Sequence, residues 1–90
     1  MTIPKRSWMS PTIFEEGGFR FFFFSREEPR MHVHLLGRGG GAKVWMEPLI
    51  QMAESHGLKP RDLREALDVI EERQDEIREA WSRHFGGGAR

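Results

Sequence analysis

Apolar positions in the first half of this chain recur every second residue, and in the last third they recur at three, four and seven. Thr12 to Glu15 reads as a short strand, and Gly17-Gly18 supply a turn. Phe19 to Phe24 reads as a second strand, apolar on much of both faces. A charged loop over Ser25 to Pro29 leads to a third strand at about Met31 to Leu36. The glycines around Arg38 then turn the chain into a fourth strand, Ala42 to Met46, which Pro48 ends because it has no N–H for a sheet ladder. Leu49, Ile50, Met52 and Ala53 have a helix-like spacing that predicts a short helix to Ser55, with Gly57 as its stop. Pro60 suits the first position of a final helix. Leu63, Ala66, Leu67, Ile70, Ile77 and Trp81 form one apolar stripe on that helix, and Asp, Glu and Arg crowd the opposite side.

The pairing of the third and fourth strands follows from the same pattern. If Leu36 faces Gly41, then His34 lies opposite Lys43, Val33 opposite Val44, His32 opposite Trp45 and Met31 opposite Met46. One face is then Met31, Val33, Leu35, Ala42, Val44 and Met46, and the other carries His32, His34, Lys43, Trp45 and Glu47. A slip by one residue would mix the two sets, so this register is preferred. In the second strand Phe19, Phe21 and Phe23 join the apolar face, while Arg20, Phe22 and Phe24 join the histidines. The expected fold is α+β, an antiparallel sheet of three to four strands packed on a long C-terminal helix, with a short helix between. Residues 11–86 form the single domain, residues 1–10 a flexible arm that docks through Trp8, and residues 87–90 a disordered tail.

Composition narrows the function without naming it. Ninety residues allow one core, and 14 basic against 14 acidic residues leave no net charge to attract nucleic acid or anionic lipid globally. The absence of cysteine excludes disulfides, thiolate catalysis and cysteine-ligated zinc. No apolar run approaches the length of a membrane span, and the basic start is not followed by a signal core, so a cytoplasmic location with no membrane partner is expected.

Candidate chemistry concentrates on the histidine face. His32 and His34 project from one side of a strand, and histidine titrates nearest neutral pH, so the pair are candidate acid/base groups or metal ligands. A metal would need a third ligand such as Glu28, Glu47 or another histidine, and the spacing equally fits a hydrogen-bonded structural pair. As an enzyme, the chain would use His32 or His34 in acid/base cleavage of RNA, with Arg30, Lys43 or Arg20 stabilising charge on phosphate. Arg20, Phe22, Phe24, Trp45 and Glu47 are the candidate binding residues, because exposed aromatics among cations suit a partner protein, a self-dimer or unstacked bases. The plainer reading covers this face with the short helix or the N-terminal arm and leaves Lys43 and Arg20 solvated. The glycine-rich stretch after Leu36 lacks a phosphate-loop pattern and leads to a strand, so it reads as a hairpin turn. His56 and His84 read as structural residues near helix C-termini. No cofactor is called for.

Five segments together resemble a known family: Pro11 to Ile13, Gly18 to Ser25, Glu28 to His34, Ala42 to Pro48 and Ala80 to Gly86. The pairing of His-x-His with Ala-Lys-x-Trp-x-Glu-Pro is similar to a widespread small bacterial and archaeal family catalogued as a domain of unknown function. Some of its members are labelled DhiT-like toxins of type II toxin–antitoxin pairs. The resemblance implies a growth-inhibiting role and a small antitoxin-like partner encoded nearby. It supplies no catalytic residues. This chain departs from many relatives in the short turn Gly39-Gly40-Gly41, and Lys59 occupies an N-cap position that serine or threonine would fill better. The leading expectation is therefore a toxin-like protein. A non-catalytic interaction module that forms a homodimer or binds a partner, and a His-x-His metal-binding accessory domain, are the alternatives.

Overall fold

A computed structural model describes residues 12–24 and 29–85. The expected arm, its Trp8, the expected tail and the candidate ligand Glu28 lie outside the described residues. The described chain forms five antiparallel strands in sequential order followed by two helices, an α+β arrangement. The strands are β1 (Thr12–Glu16), β2 (Phe19–Phe22), β3 (His32–Gly37), β4 (Gly40–Trp45) and β5 (Gln51–His56). The helices are α1 (Pro60–Glu72) and α2 (Gln74–His84).

The register argued from hydrophobic partition is the one observed. His34 pairs with Lys43, Val33 with Val44, His32 with Trp45 and Leu36 with Gly41. Beyond β3, the Met46 N–H donates to the Met31 carbonyl at 2.9 Å. Phe22 pairs with His34 and Arg20 with Leu36, so β2 contributes to the same two faces. Phe19, Phe21, Phe23, Val33, Leu35, Val44 and Met46 are buried, and they join Ala66 and Ile70 of α1 and Ile77 of α2 in one core. The helical stripe read from the sequence thus covers the sheet face that needs covering.

Two expectations are corrected. The predicted helix over Leu49 to Ser55 is instead β5, a fifth strand paired with β4 through Met52↔Val44, Glu54↔Lys43 and His56↔Gly41. A short apolar run is ambiguous between the two periods, and a vacant edge on β4 decides it by offering ladder bonds that an isolated helix turn lacks. A register shift between Lys43 and Val44 inserts Ala53 as an extra residue, which lets Met52 face the core and Glu54 the histidines. The single long helix is also broken, at Arg73. The Arg73 N–H still bonds the Val69 carbonyl and the Ile77 N–H the Arg73 carbonyl, so the helical path bends without a loop. At the bend the Arg73 guanidinium lies 3.6 Å from the Phe14 ring centroid and 2.8 Å from Glu16, joining the helices to β1.

The turn between β3 and β4 holds the sheet together at its other end. Gly37 pairs with Phe19, and a Cβ there would sit 2.0 Å from the Gly18 carbonyl oxygen, so only glycine lets the two turns touch. Arg38 has φ 53, a left-handed conformation that non-glycine residues rarely adopt. From it the side chain donates to the Gly17 carbonyl at 2.9 Å and to Asp62 at 2.7 Å and Glu65 at 2.5 Å on α1. These bonds raise the Arg38 pKa, Glu65 first and Asp62 second, and the Arg38 bond holds the Asp62 carboxyl below the usual carboxylate range.

Candidate functional site on the histidine face

The sheet face opposite the core carries a groove of about 330 Å³. Its walls are Arg20 and Phe22 from β2, Phe24 just beyond it, His34 and Leu36 from β3, Lys43 from β4, and Glu54 and His56 from β5. Alternation along each strand puts these side chains on one side, which is why the sequence pattern could foresee most of them. Phe24 and Leu36 are 47% and 46% exposed, unusual for large apolar residues and adjacent here to cations.

His34 sits at the centre. Its ring stacks on Phe22 at 5.5 Å and lies 4.3 Å from the Phe24 centroid. Across the ladder is Lys43, whose ammonium stands 4.5 Å over the Trp45 ring. Arg20 places its guanidinium 4.4 Å over Phe22 while donating to the Thr12 hydroxyl at 2.7 Å. Cations over aromatic faces gain from the ring quadrupole, and the contact holds long side chains in place.

His32 departs from the expected surface position, because it is fully buried. β2 ends at Phe22, opposite His34, so no β2 residue flanks His32; the Trp81 indole of α2 comes within 5.4 Å of it instead. Trp45 lies 5.5 Å away and His34 4.9 Å, both edge to face. The His32 Nδ1–H donates to the Arg30 carbonyl oxygen at 2.7 Å, since a carbonyl can only accept. Arg30 in turn lies 4.0 Å over Trp45 and donates to the Glu47 carbonyl at 2.8 Å.

The nine candidate residues therefore divide into two touching groups. Arg20, Phe22, Phe24, His34 and Lys43 line the groove, while His32, Arg30, Trp45 and Glu47 form a packed cluster at its end. Glu47 is engaged by Arg78 of α2, which also donates to the Met46 carbonyl at 3.1 Å. Among the described residues no three His, Asp or Glu side chains converge in a way that could hold a metal ion. Sequence reasoning missed Glu54 and His56, since both fell in or beside the segment read as a helix. Strand period across Glu54 and His56 was the available signal, obscured by the bulge at Ala53. It also assigned Trp81 to the core alone, whereas its indole bridges Phe23 and His32.

No helix among the described residues is long and apolar enough to cross a membrane. Searches of curated proteins and of solved structures found no match to the chain. A family model does match, over residues 18–82, a span holding every groove residue named above and both turns of the Arg38 contact except Gly17. On that match the chain belongs to the family described as a domain of unknown function, DUF4160.

Proposed function

We propose that this chain is the toxin-like component of a bacterial type II toxin–antitoxin pair, acting in the cytoplasm on RNA through the histidine face. The observation that carries the reading is the groove itself: a histidine stacked on Phe22 and tilted against Phe24, with Lys43 and Arg20 lining the same groove. Aromatic rings take unpaired bases and cations take the phosphates between them, so this mixture suits a single strand of RNA. In this reading His34 and Lys43 meet the substrate, while His32 and Arg30 hold the end of the groove and orient His34. The small antitoxin encoded nearby neutralises the protein by covering Phe24 and Leu36.

Induced expression alone, and together with the neighbouring small open reading frame, tests the reading. Growth arrest relieved by co-expression is expected; unimpaired growth in both cases counts against a toxin. A second reading, a non-catalytic interaction module that forms a homodimer, draws on the exposure of Phe24 and Leu36. Sedimentation of the purified chain decides that point, with a dimer that Phe24→Asp dissociates as its expected result.

A further inference from the structure

We propose that His56 is a second proton-transfer group of the groove, paired with His34 for metal-independent cleavage of single-stranded RNA. The inference rests on the RNA-directed reading above and adds to it a residue, a bond and a product. His34, Lys43 and Glu54 lie in one row across β3, β4 and β5, and Leu36, Gly41 and His56 lie in the next row on the same face. With strands about 4.8 Å apart and residues about 3.3 Å apart along them, the two histidine Cα atoms are separated diagonally by roughly 12 Å. The His56 ring leans inward across this gap, because its Cε1 lies 3.4 Å from where a Gly41 Cβ would stand. Gly41 forms the floor there, and over it the Leu36 Cδ2, 2.8 Å from where a Gly41 Cβ would stand, lies beside the His56 ring. A volume of about 330 Å³ is at the small end for ligand sites, which run from about 300 to 1,000 Å³, and suits one or two nucleotide units.

Chemistry follows from what surrounds that floor. A base stacks on Phe24 beside His34, and the phosphate on its 3′ side meets Lys43, which neutralises charge on the non-bridging oxygens. One imidazole takes the proton from the ribose 2′-hydroxyl, whose oxygen attacks the adjacent phosphorus. The P–O5′ bond breaks, and the second imidazole gives its proton to the departing 5′-oxygen. The products are a 2′,3′-cyclic phosphate and a 5′-hydroxyl, and no electrons or water enter the step.

The full chain is incubated with a random-sequence single-stranded oligoribonucleotide pool and with total bacterial RNA, both in EDTA, and fragment ends are identified by mass spectrometry. Expected are cyclic-phosphate and 5′-hydroxyl ends, with rates reduced about 100-fold or more by His56→Ala and by His34→Gln, and unchanged by His84→Ala. His56 is exposed, so its variant retains the fold, and thermal unfolding checks this directly. Intact RNA, 3′-hydroxyl ends, loss of activity in EDTA, or a His56→Ala protein of undiminished rate each overturns the proposal. Growth arrest in cells without cleavage here would remove this inference and leave the toxin reading; cleavage without growth arrest would do the reverse.

Discussion

His34 and His32 are two residues apart on one strand and share a face, yet their surroundings differ completely. His34 opens on a groove, and His32 is enclosed by Trp45, Trp81 and His34 with its Nδ1 bound to a carbonyl. What separates them is where β2 stops, since Phe22 flanks His34 and Trp81 takes the place beside His32. A single glycine has comparable influence at the opposite end of the sheet. Gly37→Ala places a methyl group 2.0 Å from the Gly18 carbonyl oxygen and 2.9 Å from the Phe19 Cα. Backbone cannot rotate away as a side chain can, so a loss of about 3 kcal/mol is expected. Urea denaturation reads it as a lower midpoint at unchanged slope.

At the level of elements, α1 starts with half of a reciprocal cap. Lys59 is its N-cap, extended at φ −78 and ψ 157, and makes no side-chain cap. Asp62, three residues on, accepts from the Lys59 N–H, which is the return half of a capping box. Lys59→Ser supplies the missing oxygen and should stabilise the protein by about 1 kcal/mol. A denaturation midpoint equal to or below that of the parent would show that the first turn already has its donors satisfied. The strand β5 illustrates the opposite case, in which neighbours outweigh local pattern. Leu49, Ile50, Met52 and Ala53 fit a helix on spacing alone, but the open edge of β4 pairs with whatever follows, and the bulge at Ala53 reconciles the two sides.

Over the whole molecule, three arginines fasten helices to sheet: Arg38 to Asp62 and Glu65, Arg73 to Glu16 and Glu76, and Arg78 to Glu47. Each bridges elements far apart in the chain, and each is partly open to solvent, so their role is to set position more than to add bulk stability. Their arrangement gives the acid limb of the stability curve a sign. Asp62 has a folded pKa lowered chiefly by its Arg38 bond, so its contribution is fully present above the ordinary carboxylate pKa near 4 and lost as pH falls through the lower folded value. Asp62→Asn should therefore flatten the decline of stability below about pH 4. Stability profiles of the two proteins that run parallel across that range would refute the linkage.

Alternation and helical stripe were sufficient to determine the first four strand segments, the β3–β4 register and the face that α1 and α2 cover, because a misplaced register or face would expose the phenylalanines, valines and leucines of the core. Most groove residues followed from that one partition. The tertiary structure alone decided that Leu49 to His56 would complete the sheet, that the helix would bend at Arg73, and that Trp81 would close over His32 while His56 came to face the groove. Those outcomes depend on contacts between residues distant in the chain, and their free energies exceed the weak local preferences that a short segment can express.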